Sequence, residues 1–146
     1  LEVVDADINS RKEIIANKSG EYRLINMWAT WCGPCLIEFT ECVTMQRMYG
    51  ARDFEFISIS TDGLKKKDKV LQFLKEKNAA TKNYLCSSDD KYALIEAVDK
   101  NWPGALPYTL LVAPGGEIVY SHAGVIDVLE VRKEIMKKIG RFFADD

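Results

Sequence analysis

Only four cysteines are spread over 146 residues, too few for a fold stapled together by disulfides. The one histidine, His122, falls in a predicted outgoing strand and is given no role, because a Cys–His nucleophile pair would need a spatial contact. Charge of neither sign prevails. A formal net charge of −2 gives no reason to expect nucleic acid or an anionic membrane as partner. No apolar run approaches the ~20 residues needed to span a bilayer. The start, Leu1-Glu2-Val3-Val4-Asp5, lacks the basic and apolar stretches of a signal peptide. It also lacks Met, which reads as a mature product or an excised domain, so this absence says little about compartment. Internal repeats, low-complexity tracts and linkers are missing. So are a phosphate-cradling Gly loop, a Ser/His/Asp arrangement and a paired-carboxylate site. What remains is a chain of ordinary composition, long enough to bury one core as a single domain over 1–146.

Within that unremarkable composition, Trp31-Cys32-Gly33-Pro34-Cys35 stands out by its placement. An apolar β-like run, 22–29, precedes it, and a helical pattern begins at Gly33. Cys32 therefore falls at a helix start, with Cys35 one turn in. Unpaired N–H groups and the positive end of the helix dipole favour the thiolate of Cys32, the nucleophile of disulfide exchange. Pro34 suits the first helical turn, where its missing N–H loses nothing. Cys35, within bonding reach and pointing inward, can resolve a mixed disulfide formed at Cys32. The alternative is half of a zinc site, but zinc takes four N/S ligands and no second CxxC or CxxH follows. The expectation is a dithiol/disulfide site with no metal and no cofactor.

The remaining pattern supplies the frame. Ser10-Arg11-Lys12-Glu13 has capping-box spacing and Gly20 is a stop signal, so a short helix is predicted over 10–18, within a helical N-terminal extension of 1–19. A helix over 33–49 carries Leu36, Phe39, Val43 and Met48 and closes at Gly50. Residues 54–60 alternate as a strand and run into Thr61-Asp62-Gly63. An amphipathic helix spans 65–78, with Val70, Leu71, Phe73 and Leu74 inward, and Lys65-Lys66-Lys67 is its solvated start. A short strand near 84–86 and a helix over about 91–98 follow. Strands over 108–113 and 117–122 are joined by Pro114-Gly115-Gly116, and a helix over 127–139 ends the pattern. This order predicts an α/β fold, with early parallel strands, a late hairpin and hence a central mixed sheet flanked by helices.

The segment Asn26-Met27-Trp28-Ala29-Thr30-Trp31-Cys32-Gly33-Pro34-Cys35, followed by Glu38-Phe39, resembles the active-site region of TlpA/ResA-like thiol-disulfide oxidoreductases in the thioredoxin superfamily. Leu106-Pro107-Tyr108-Thr109 and then Val112–Ile118 are similar to that group's cis-proline segment and hairpin. Residues 61–86 resemble the β-α insertion, after the second core strand, that distinguishes the group from plain thioredoxin. The resemblance covers roughly 20–140. It implies a thioredoxin-like fold, Cys32 as attacking thiol, Cys35 as resolving thiol, and a cis bond before Pro107 opposite the disulfide. Trp31, Gly33, Pro34, Leu106 and Pro107 would meet the client, the backbone beside Pro107 pairing with an extended client strand. Asn26 stands where plain thioredoxin has a buried aspartate, and asparagine cannot titrate. The resemblance gives the proton-handling role to Glu38, one turn beyond Cys35; the alternative is a solvent-facing helix glutamate.

Trp28 reads as core, and Trp102-Pro103-Gly104 as a loop beside Pro107 that adds an exposed aromatic to the docking surface. Cys42, seven residues after Cys35, and Cys86 read as small buried hydrophobes, with a Cys42–Cys86 disulfide left open. The function expected is reduction of protein disulfides. Gly-Pro between the cysteines matches thioredoxin, near about −270 mV, rather than oxidants near about −120 mV. A redox-switched client-binding module with little turnover is the alternative, and a peroxide-consuming enzyme conflicts with the CxxC spacing. The resemblance further implies disulfide or thiol client proteins, apocytochromes among them, and a membrane-embedded thiol reductant. It places such a protein in the periplasm of a bacterium or tethered to its envelope. A monomer is expected.

Overall fold

Tyr22–Trp28 (β2) and Phe54–Ser60 (β3) are strands in which aromatic and aliphatic residues predominate and both faces are largely buried, as central strands require. The computed structural model describes residues 1–87 and 99–140. The predicted helix over about 91–98 lies outside those residues. Chain order is β1 (Val4–Ala6), α1 (Ile8–Ala16), β2, α2 (Gly33–Tyr49), β3, a 3-10 turn (Leu64–Lys66) and α3 (Lys67–Glu76). Then come β4 (Lys82–Cys86), β5 (Tyr108–Val112), β6 (Ile118–Ala123) and α4 (Val128–Ile139). The six strands form one sheet in the order β1-β4-β3-β2-β5-β6. Pairing is parallel from β1 through β2, while β5 and β6 run antiparallel, so the mixed sheet is as the sequence predicts.

The sheet separates two apolar layers. On one side Leu24, Trp28, Phe56 and Leu111 pack with Phe39 and Val43 of α2, Val70 and Leu74 of α3, and Val131 and Ile135 of α4. On the other side Ile25, Met27, Ile57, Ile59 and Leu110 pack with Ile14 and Trp102. Trp28, Phe39, Phe56 and Phe73 form an aromatic cluster with centroids 4.9 to 5.6 Å apart. Each such pair contributes about 0.5–1.5 kcal/mol beyond its burial. Because the cluster joins the end of β2 to α2, β3 and α3, it seats the insertion helix against the end of the sheet where Cys32 lies.

Departures from the expected pattern have local causes. The stretch before α1 is not helical throughout: Val4–Ala6 pairs in parallel with Tyr84–Cys86. Three residues are too short for a period to show. Helix α1 starts at Ile8 because the Asp7 side chain, not Ser10, accepts the Ser10 N–H at 2.8 Å. It ends at Asn17, which adopts the left-handed conformation (φ 43°) and donates its side-chain amide to the carbonyls of Glu21 and Val112, so Gly20 is not needed as the stop. Met48 is exposed, and Met45 fills the buried position. Trp102 is not an exposed docking aromatic. It is 4% exposed, stacked on Tyr108 at 5.6 Å, and donates its indole N–H to the Ala105 carbonyl. Stacking and a satisfied N–H hold it in the core.

Candidate functional site

Cys32 is the N-cap of α2, in an extended conformation (φ −99°, ψ 99°) that no helical residue adopts. Its Sγ accepts the Cys35 N–H at 3.3 Å, the contact by which a capping side chain satisfies an orphan donor of the first turn. The two cysteines form a disulfide with Cα atoms 5.3 Å apart. Helix geometry makes this natural: a residue just outside the first turn and one three positions on face each other. Cys32 is 6% exposed and Cys35 fully buried, so Cys32 is the residue of the pair that reaches the surface. Gly33 and Pro34 are exposed in the first turn, and Trp31 is 65% exposed just before it.

The antiparallel register Met27↔Tyr108, carried one step further, sets Pro107 beside Trp28, at the end of the sheet from which the Cys32 loop departs. The Leu106–Pro107 bond is cis. Pro107 is buried, its carbonyl accepts the Gly124 N–H at 2.8 Å, and Leu106 is half-buried against both apolar layers. The loops that end β2, precede β5 and follow β6 therefore gather at the disulfide end of the sheet.

Below the first turn of α2 the packing turns polar. Glu38 is not on the solvent face: it is 3% exposed, on the inner side of the helix one turn beyond Cys35. Its Oε2 accepts the Asn26 side-chain amide at 2.9 Å, and its Oε1 accepts the Ile126 backbone N–H at 2.7 Å. Burial raises its carboxyl above the usual glutamate range, with the two donors and the more distant His122 pulling the other way. Asn26 belongs to a polar row crossing the sheet through the paired positions Asn83, Ser58, Asn26, Thr109 and His122. Its amide also reaches Thr109 Oγ1 at 3.2 Å, and its Oδ1 is buried with no partner among the described residues. Asn26 and Glu38, the acid one helical turn below the disulfide, are thus in direct contact.

Sequence reasoning missed three participants. Ile126 reaches Glu38 through backbone alone, which no side-chain pattern reveals. Thr109 adjoins Asn26 only through strand pairing. Asp62 read as punctuation after β3, yet it is 2% exposed and accepts from the Thr30 N–H (2.9 Å), the Thr30 hydroxyl (2.6 Å) and the Ser60 hydroxyl (2.7 Å). Its signal was an acid at the carboxyl end of a central strand, where site residues of parallel sheets collect.

The other cysteines are free and buried. Cys42 belongs to the α2 layer and Cys86 to the opposite one, so the sheet stands between them and they do not pair. Burial raises the Cys42 thiol well above its usual range, and the charges of Glu38 and Glu41 add to this. Burial also raises Cys86, with Arg11 opposing. Among the described residues no His, Cys, Asp and Glu cluster could hold a metal ion, and no helix is long and apolar enough to cross a membrane.

Comparison with known proteins matches this geometry. The family model described as Redoxin matches residues 12–135. Thiol-disulfide oxidoreductase ResA of Bacillus subtilis is 25% identical over 113 residues, 77% of this chain and 59% of that protein. ResA of Oceanobacillus iheyensis is 26% identical over 132 residues, 89% of this chain and 65% of that protein. The chain thus spans about three fifths of the length of these relatives. A putative thiol:disulfide interchange protein DsbE from Chlorobium tepidum superposes with a TM-score of 0.67 at 23% identity, covering 82% of this chain and 81% of that one, a likeness of fold. The chain belongs to the Redoxin family and is a TlpA/ResA-like member of the thioredoxin superfamily.

Proposed function

We propose, with that family membership as premise, that the protein is a thiol-disulfide oxidoreductase that reduces protein disulfides by cycling Cys32 and Cys35 between dithiol and disulfide. The observation that carries the reading is the Cys32–Cys35 disulfide at the capped start of α2, with Cys32 the residue of the pair that reaches the surface. The Cys32 thiolate, favoured by the helix N-terminus, attacks one sulfur of a client disulfide. The client S–S bond breaks, one client sulfur leaves as thiolate, and a mixed disulfide joins Cys32 to the other. Cys35 then loses its proton and attacks Cys32 Sγ, releasing the second client thiolate and closing the Cys32–Cys35 bond. Two electrons pass to the client, and an external thiol donor must return two to the protein.

Glu38 receives the proton from Cys35. It lies one turn away on the same face, and burial brings its carboxyl toward the range where accepting a proton is easy. Trp31, Gly33, Pro34, Leu106 and Pro107 form the surface that meets the client. The physiological setting we infer is that implied by the ResA likeness: a bacterial periplasm or envelope surface, thiol or disulfide clients that include apocytochromes, and a membrane-embedded thiol reductant. Turbidimetric insulin reduction with a dithiol donor tests the activity. The Cys32–Cys35 couple should lie between about −270 and −180 mV, whereas a value near about −120 mV would make the protein an oxidant.

One observation favours a second reading. Trp31 and Ile37, 65% and 79% exposed, flank the first turn of α2 and offer an apolar surface that could hold a client without turnover. A pure redox-switched binder would leave insulin unreduced while its thiols still titrate.

A further inference from the structure

We propose that Asp62 is a positioning residue for the exchange reaction: its buried carboxylate fixes the turn Ala29–Cys32 and thereby the direction in which Cys32 presents its sulfur. The inference rests on the reductase reading above. The ends of the turn are anchored, Ala29 by burial and Cys32 by the start of α2, where its carbonyl accepts the Leu36 N–H at 3.2 Å, so its middle depends on what holds Thr30. Its one internal backbone bond runs from the Cys32 N–H to the Ala29 carbonyl at 3.1 Å, and Trp31 at its tip is 65% exposed. Thr30 is the residue between, and both its backbone N–H and its hydroxyl donate to Asp62, one to each carboxylate oxygen. The carboxylate is itself held. Ser60 donates its hydroxyl to Oδ2 and in return accepts the Asp62 N–H at 3.0 Å, at the end of the central strand β3. The adjoining Thr61 N–H donates to the Trp28 carbonyl at 2.7 Å, tying the same segment to the end of β2.

No salt bridge among the described residues reaches Asp62, so hydrogen bonds alone compensate the burial of this carboxylate. Loss of the carboxylate would leave the Thr30 N–H unpaired and loosen the turn between its anchored ends. Exchange requires an in-line approach of Cys32 Sγ to the client disulfide, and a displacement of about 1 Å in a reacting group costs up to about a hundredfold in rate.

Asparagine separates the hold from the charge. With its oxygen at the Oδ2 position it still accepts from Thr30 N–H and Ser60, and its NH2 can donate to the Thr30 hydroxyl. In the whole protein, Asp62→Ala should lower kcat/KM for insulin reduction by about tenfold or more. Asp62→Asn should stay within about threefold of the parent. The rate of Cys32 alkylation against pH gives a second, turnover-free readout. Asp62→Ala should move that profile to higher pH, because the sulfur loses its register with the helix N-terminus. Asp62→Asn should leave it unchanged or move it lower, because only a negative charge is removed. Downward movement of both profiles together would show that Asp62 acts by charge alone and overturn the proposal. So would a folded Asp62→Ala with parent kinetics. If Asp62→Ala does not fold, Thr30→Ala keeps the carboxylate and deletes one of its donors. It should lose a few-fold in kcat/KM, and parent rates there would equally overturn the proposal. A parent protein that fails to reduce insulin would sink the reductase reading, while the alkylation profiles would still decide the role of Asp62.

Discussion

Cys32 and Cys42 belong to the same helix and meet opposite chemical environments. At the start of α2 the backbone N–H groups lack helical partners, and Cys32 Sγ accepts one of them, from Cys35. In the middle of α2 every N–H is committed to the helix, and Cys42 is fully buried beside the carboxylates of Glu38 and Glu41. The first setting stabilises a sulfur anion and the second penalises it. Thiol reactivity here is therefore decided by where the backbone leaves donors and where charge collects, because residue type and helix are shared. Cys86 makes the same point from the other face of the sheet, where burial outweighs the nearby Arg11 cation.

The strongest challenge to this contrast is mutational. Cys32→Ser should abolish insulin reduction, and Cys35→Ser should accumulate a mixed disulfide at Cys32, because attack survives while resolution does not. Cys42→Ser and Cys86→Ser should keep turnover. Loss of activity in either of them, with the fold intact by circular dichroism, would erase the distinction drawn between the two settings.

A weaker but direct comparison comes from labelling the reduced parent near neutral pH and mapping adducts by mass spectrometry. Cys32 should react at least about a hundredfold faster than Cys42 or Cys86, since each tenfold drop in thiolate fraction follows a single-unit rise in pKa and burial blocks access as well. Cys35 should fall between. Preferential labelling of Cys35 would reverse the assignment of nucleophile and resolver.

Much of this contrast was legible in the sequence, because it rests on short-range order. The strand before Cys32, the helix after it and the seven-residue step to Cys42 are set by apolar period and capping, which act over a few residues. The sides of the sheet occupied by Cys42 and Cys86 were not legible, because one depends on the hand of the β2-α2-β3 crossover and the other on the register of β4 against β3 and β1. For the same reason Trp102 was expected on the surface: the Tyr108 ring that stacks on it is presented by the fold rather than by neighbours in sequence. Asn26 and Glu38 were each noted separately. Their contact, and the Ile126 N–H that completes it, needed α2 laid across β2 with the loop after β6 folded over both.

Cys42→Ser should carry a moderate cost that sharpens the comparison from the stability side. A hydroxyl in the apolar layer between α2 and the sheet exchanges water for, at best, the helix carbonyl one turn back, the bond the Thr44 hydroxyl makes to Thr40 at 3.0 Å, so the change should cost about 1 kcal/mol. Urea denaturation should show the loss at unchanged slope. Cys42→Ala, which buries nothing polar, should cost less. A serine variant as stable as the parent would mean that the Cys42 environment is more polar than its packing indicates.

The smallest expected effect is the most informative about how the two settings communicate, because Glu38 lies between Cys35 and Cys42 on one face of α2. Its anion disfavours any nearby thiolate, so Glu38→Gln should shift thiolate absorbance to lower pH in the reduced protein. The same change removes the proposed proton acceptor, so release of a trapped client by Cys35 should slow by a few-fold in stopped-flow measurements. Interacting groups lose their protons in steps that belong to the set, so the comparison must be made on whole curves. Stability supplies an independent check of sign. The folded protein holds the Glu38 proton to higher pH than the unfolded chain does, where the carboxyl keeps its ordinary value of 4.5. Stability from this group is therefore complete below the ordinary value and is lost as pH rises through the raised folded one. Glutamine has no such loss, so the gap in unfolding free energy between parent and variant should change in the variant's favour across that window. The Asn26 and Ile126 donors oppose the trend by holding the anion, so the change should be modest. If thiolate titration, client release and the pH dependence of unfolding all overlay the parent, Glu38 is a buried structural carboxylate, and solvent must take the proton from Cys35.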